Sequence, residues 1–189
     1  WWSCRYSMKS ALVILADGFE EMEAFAPIDI LRRTKEVEVT LCSLTSLTLV
    51  TSHGVKISAD TTFDKIDLAN YDALIIPGGL KGTKNLIASF PFLQSLIENS
   101  QNLVIGAICA APALVLGQSG LLEGQKATCH PSVASWCPFI EFSQDNVVVS
   151  NNVITAKSAY YSLDFAIEVA RKLVSKEAIE RVLSSLCAN

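Results

Sequence analysis

Three short runs of uninterrupted apolar residues, each closing on a turn-forming or small residue, confine this chain to few architectures. Ala11-Leu12-Val13-Ile14-Leu15-Ala16 meets Asp17-Gly18, Ala73-Leu74-Ile75-Ile76-Pro77 meets Gly78-Gly79, and Leu103-Val104-Ile105-Gly106-Ala107-Ile108 meets Cys109. Strands that face water on one side alternate polar with apolar residues. Unbroken runs belong to strands buried on both faces, as in a parallel sheet covered by helices. Between the runs the spacing changes. Met22, Phe25, Ala26, Ile30 and Leu31 predict a helix over 21–33, and 37–44 reads as the next strand, completing a βαβ unit.

Residues 45–70 are turn-rich and alternate at Val55, Ile57 and Ala59, which predicts a small β excursion. Helical spacing returns at Phe92, Leu93, Leu96 and Ile97, followed by a strand over 103–108. A short apolar helix over 110–117 comes next, with Gly117 and Gly120 as its stop signals. Short strands are expected over 127–129, 147–149 and 153–155, and closing helices over 162–174 and 176–186. The alternation predicts an α/β, doubly wound sandwich: a mostly parallel sheet with helices on both faces.

Composition narrows the function classes. A chain of 189 residues, half of them hydrophobic, buries a sizeable core, which excludes a disordered or collagen-like protein and a disulfide-stapled miniature. Net charge is −4 with no basic run, so no nucleic-acid partner is expected. No apolar run approaches the ~20 residues of a membrane helix, so no membrane partner is expected. The start, Trp1 to Ser7, lacks the apolar core of a secretory signal. Residues 1–8 read as a leader or an expression-derived appendage, and 9–189 as one domain. The six cysteines show no CxxC pair and point to reduced thiols in a cytoplasmic protein; with two histidines in all, no metal is expected.

In doubly wound folds the ligand crevice lies beyond the carboxyl ends of the strands. Asp17–Glu23, Gly78-Gly79 and Cys109-Ala110 fall there. Cys109, among Gly106, Ala107, Ala110 and Ala111, stands where a strand bends into a helix, the geometry of a nucleophile elbow. A helix N-terminus would lower its pKa, and the Ala110 N–H would be free to face an oxyanion. The alternative is a small buried hydrophobe, the common fate of a free cysteine. Gly78-Gly79 either brings a backbone N–H to a ligand or forms an ordinary turn. His130 is either a base or a surface loop residue. Glu20, Glu21 and Glu23 either compensate a helix dipole or supply one inward carboxyl of raised pKa, and spacing does not choose among them.

Four motifs in register carry a resemblance: the run from Ala11 to Glu23, Ile76-Pro77-Gly78-Gly79, Ala107-Ile108-Cys109-Ala110-Ala111-Pro112, and Thr128-Cys129-His130-Pro131. Together they resemble the ThiJ/PfpI superfamily over roughly residues 9–186, closest to its parkinsonism-associated deglycase/YajL branch. The resemblance implies a flavodoxin-like sandwich, a homodimer, and no cofactor. It implies a reactive Cys109 hydrogen-bonded by Glu23, a neighbouring His130, and oxyanion-hole amides at Gly79 and Ala110. Gly78, Ala111 and Tyr160 would line the pocket. Three positions depart from the family pattern: Ala111 where glycine is common, Ala156-Lys157-Ser158-Ala159-Tyr160-Tyr161 where Ser-Arg-Gly-Pro-Gly-Thr is common, and His53 where arginine is common.

The function expected is a cofactor-free glyoxalase III or deglycase acting on small dicarbonyls or glycated substrates. Alternatives are a cysteine-based oxidative-stress sensor with redox-dependent chaperone output, an amidase or peptidase, and the thiamine-biosynthesis role behind the family's historical name.

Overall fold

The structure is a computed structural model that describes residues 8–188. The expected leader thus lies, but for Met8, outside the described residues.

β1 (Lys9–Leu15) pairs in parallel with β2 (Val37–Ser43) on one side and β6 (Ala73–Ile76) on the other. β2 carries the two-residue β5 (Thr61–Thr62) outward, and β6 continues into β7 (Val104–Ile108). β9 (Val153–Ala156) pairs in parallel with β7, and β8 (Val147–Ser150) closes that edge antiparallel to β9. The order is β5-β2-β1-β6-β7-β9-β8. The β excursion is a separate hairpin of β3 (Thr48–Val50) and β4 (Lys56–Ser58).

Alternate residues of the unbroken runs feed two cores. Ala11, Val13, Leu15 and Ile75 pack under α1 (Glu21–Arg33), α4 (Ser162–Leu173) and α5 (Lys176–Ser185). Leu12, Ile14, Leu74, Ile76 and Ile105 pack under α2 (Leu80–Ile87), α3 (Phe90–Asn99) and the Pro112–Gly117 run. This is the flavodoxin-like, mostly parallel sheet with helices on both faces that the alternation and the resemblance predict. No helix among the described residues is long and apolar enough to cross a membrane.

Three local readings are corrected. α2 has no counterpart in the sequence reading; its buried face is Gly82, Thr83 and Leu86, too small and polar to announce a helix. Residues 127–129 form no strand, because β9 is already paired on both edges by β7 and β8. The segment is tied instead by Thr128 N–H to Thr155 Oγ1 at 3.0 Å and by Ser143 N–H to the Ala127 carbonyl at 2.8 Å. The apolar helix near 110–117 is π-helical over Pro112–Gly117, with Gln118 N–H reaching back to the Ala113 carbonyl.

Gly106 sets the distance between sheet and helix. A Cβ there would lie 2.9 Å from Val169 Cγ2 and 3.0 Å from Phe165 Cζ, both on α4. Gly106→Ala is therefore expected to lower unfolding free energy by about 1–3 kcal/mol, as overpacking does. The measurement is a urea midpoint that falls at unchanged slope; an unmoved midpoint would refute this packing.

Candidate active site

Cys109 directly follows β7 and takes a φ of +66°. A residue with a Cβ reaches this left-handed region at a cost of about 1–2 kcal/mol, so something must hold it there. Its N–H donates to the Ala156 carbonyl at 2.9 Å, and its own carbonyl accepts from His130 N–H at 2.8 Å. The elbow is pinned on both sides by backbone from β9 and from the 130 loop. Cys109 as a whole remains partly exposed.

Glu23 enters from the first turn of α1 with no exposed surface. Its Oε1 accepts from the Gly78 N–H at 2.9 Å, while Oε2 has no hydrogen-bond partner. Glu20 caps α1, and its own N–H donates to the Gly78 carbonyl at 3.0 Å, so helix and β6–α2 turn are tied in both directions. Gly78 leaves no room for a side chain: a Cβ would sit 2.5 Å from Glu23 Oε1 and 2.8 Å from both Cys109 Cβ and the Ile108 carbonyl. Gly79 has a φ of +88° and caps α2. The three glutamates are thereby told apart: Glu23 alone turns inward.

Burial raises the Glu23 carboxyl to about 7, and the Glu20 charge adds to the rise, against stabilising contacts with Cys109 and Gly78. Burial also raises the Cys109 thiol; an ionised Glu23 raises it further, while the Ala110 and Gly79 amides pull it down. This corrects the lowered thiol pKa expected from a helix N-terminus. No α-helix begins at Cys109, and the nearest full charge is a carboxylate. The pair competes for one negative charge. Ionised Glu23 opposes a thiolate, whereas protonated Glu23 can donate to one.

The remaining candidates divide: His130 and Ala110 stand beside the elbow, whereas Ala111 and Tyr160 do not line it as buried neighbours. His130 contributes its backbone to the elbow, but its ring caps the 3-10 turn Pro131–Trp136. Nδ1 accepts from Ser132 N–H at 3.1 Å and lies 2.7 Å from Ser132 Oγ. An N–H can only donate, so a neutral His130 carries its hydrogen on Nε2. Ala110 is buried beside the elbow, but Ala111 is fully buried in the α2/α3 core and does not wall the crevice. Tyr160 is 85% exposed and stacks edge-on with Tyr161 at 5.1 Å, standing in solvent. The structure thus brings Glu23, Gly78, Gly79, Ala110 and the His130 backbone to Cys109, buries Ala111 in the core and leaves Tyr160 exposed.

Sequence reading missed one cluster. The hairpin sets His53 Nδ1 against Glu21 Oε1 and 3.3 Å from Glu20 Oε1, close enough together for the three side chains to hold a metal ion. Glu and His so far apart in the chain gave no spacing signal.

A model of the DJ-1/PfpI family matches residues 9–172. Protein DJ-1 homolog B of Arabidopsis thaliana is 39% identical over 167 residues, covering 88% of this chain and 38% of that protein. The chain therefore spans about two fifths of that relative's length. Protein dj-1beta of Drosophila melanogaster is 33% identical over 94% of this chain and 96% of its own. The glutathione-independent glyoxalase DJR-1.2 of Caenorhabditis elegans is 28% identical over 96% and 97%. The solved structure of oxidized Toxoplasma gondii DJ-1 superposes with a TM-score of 0.88 at 32% identity, covering 95% of this chain and 98% of that one.

Because the folded pKa of Glu23 lies above its ordinary 4.5, its neutral form is the favoured one in the fold. Its contribution to stability is whole below pH 4.5 and is lost as pH rises through 7. Glu23→Gln lacks this titration. Relative to wild type, its stability is expected to rise by up to about 3 kcal/mol between about pH 4 and pH 8. Urea unfolding at both pH values checks this, and parallel pH curves would contradict a buried, neutral-preferring carboxyl.

Proposed function

The chain belongs to the DJ-1/PfpI family, and on that premise we propose that it is a cofactor-free enzyme converting reactive dicarbonyls to hydroxy acids through Cys109. The observation that carries this reading is a buried carboxyl poised near neutrality beside a partly exposed cysteine held at positive φ. At neutral pH Glu23 is near its midpoint, so it both takes and returns a proton without leaving the site.

The steps balance within this set. Glu23 carboxylate takes the thiol proton, and Cys109 sulfur bonds to the aldehyde carbon of methylglyoxal. Because that sulfur has a high proton affinity it is intrinsically a strong nucleophile, though a minor species. The Gly79 and Ala110 N–H groups receive the oxyanion, and Glu23 then protonates it to the neutral hemithioacetal. The regenerated carboxylate removes the proton from the former aldehyde carbon to give an enediolate, and the hydroxyl proton passes from the first oxygen to the neighbouring one. Glu23 then returns its proton to the neighbouring carbon, leaving a thioester of the 2-hydroxy acid. Water cleaves that thioester, releasing lactate and the thiol.

His130 is not routed into these steps, because its Nδ1 is occupied by Ser132. The same contact argues against the amidase reading, in which an acid behind the histidine orients it as a base. A glycated substrate enters the same scheme at its carbonyl. Under this reading the protein is cytoplasmic and works as a homodimer, for which sedimentation is the check.

A second reading, oxidative sensing, draws on the unpartnered Oε2 of Glu23. Its proton is available to an oxygen added to the Cys109 sulfur by peroxide.

The test is lactate formation from methylglyoxal without glutathione. Cys109→Ala is expected to abolish turnover, and Glu23→Gln to lower kcat by about 10²–10⁴-fold, the range of a lost acid–base group. Absence of turnover in the folded wild-type protein would overturn the enzyme reading. Stoichiometric oxidation of Cys109 by dilute peroxide, seen by mass spectrometry, would then favour the sensor.

A further inference from the structure

α1 holds a proline where a helix least accepts one. Pro27 is the seventh of the thirteen residues Glu21–Arg33, and it is buried. At the first position of a helix a proline is harmless, since no N–H is needed there. In the interior it withholds a backbone donor, and its ring crowds the carbonyl four residues earlier. Four residues before Pro27 stands Glu23. The Glu23 carbonyl therefore lacks its helical partner, and no amide from outside the helix replaces it among the described residues. Glu23 has no exposed surface, so bulk water does not reach that carbonyl either. The gap falls between two sets of anchors. The chain entering α1 is held from outside the helix: the Phe19 carbonyl accepts from Ser52 N–H at 2.8 Å, Glu20 N–H donates to the Gly78 carbonyl at 3.0 Å, and Glu23 Oε1 accepts from Gly78 N–H at 2.9 Å. The turns after Pro27 are held by the core, where Ile28, Ile30 and Leu31 join the buried cluster that includes Phe165 and Val169 of α4.

We propose that Pro27 is a positioning residue for Glu23, releasing the first turn of α1 from the axis of the core-bound turns so that the Glu23 carboxyl meets the Gly78 N–H beside Cys109. With an N–H at position 27, the Glu23 carbonyl would be drawn into line with the helix axis. The Cα–Cβ bond of Glu23 would turn with it, away from the β6–α2 turn. The proline removes that pull, and its ring blocks the aligned position of the carbonyl. Packing alone does not call for proline here, because an apolar side chain of similar volume fills such a place without breaking the helix. Proline is the residue type least compatible with a helix interior, and residues kept against a local cost collect at sites whose surroundings over-determine them. The proposal rests on the reading of Glu23 as proton carrier only for its effect on turnover; the geometry stands without it.

The experiment compares wild type with Pro27→Ala and Pro27→Val, both of which restore the N–H, the second keeping most of the volume. The Gly78 amide proton shift and the pH midpoint of the Glu23 carboxyl, followed by carbon NMR, report the contact itself; urea unfolding reports stability. In both variants the urea midpoint is expected to hold or rise, because an interior helical bond is gained. The Gly78 amide proton is expected to move upfield. The Glu23 midpoint is expected to fall from about 7 by about one pH unit or more as the carboxyl gains solvent. A purely structural proline would move only the urea midpoint and leave both NMR readouts in place, and that result would overturn the proposal. Failure of both variants to fold would overturn it too, since Pro27 would then be a requirement of the fold. Lactate formation should show kcat lowered about tenfold or more at unchanged KM, the signature of a misplaced reacting group. A wild-type protein without turnover would sink the enzyme reading, while the two NMR readouts would still decide the role of Pro27.

Discussion

The contact between the Gly78 amide and the Glu23 carboxyl is the point on which the site depends. A carboxyl with no exposed surface loses its hydration, and a single N–H at 2.9 Å restores only part of it. The remaining deficit holds Glu23 near neutrality and makes it a proton carrier. The same contact dictates Gly78, since any Cβ there would strike both Glu23 and Cys109. Carboxyl, amide and cysteine thus pack closely, with no room for a side chain at Gly78.

The sheet makes that crowding sustainable. Cys109 is held at positive φ because two backbone hydrogen bonds from separate segments over-determine it. Glycine and alanine around the elbow let the segments approach. α1 presents Glu23 from one face of the sheet and the β6–α2 turn presents Gly78 and Gly79 from its carboxyl end. The reactive groups therefore rest on the ends of β1, β6 and β7, adjacent parallel strands that pack into both cores.

Much of the fold was legible because its signals are local. The runs at Ala11–Ala16 and Ala73–Ile76 read as doubly buried strands, and both are. α1 begins and ends where its spacing predicts, because Glu20 and the basic residues Arg32 and Arg33 mark its ends. What failed was what depends on neighbours in space. Residues 127–129 have strand-like composition, yet β9, against which they lie, is already paired on both edges. α2 forms with a modest apolar face because the turn at Gly79 and packing against the 112–117 run stabilise it. Ala111 looks like pocket wall in the chain and is core in the fold, where it joins the buried cluster that includes Leu86, Phe92 and Leu96.

By itself the sequence determined the α/β class, the strand-to-helix elbow at Cys109, and a short list of acids and glycines at the carboxyl ends of the strands. These follow from residue type and period, which act over a few positions. Spacing left Glu20, Glu21 and Glu23 open and the resemblance named Glu23; the tertiary structure shows its burial, raises the Cys109 thiol rather than lowering it, and spends His130 Nδ1 on Ser132. Proton affinity is set by lost solvation and by charges within a few ångströms. For Glu23 and Cys109 those neighbours come from α1, the β6–α2 turn and β7, segments that only the folded sheet brings together.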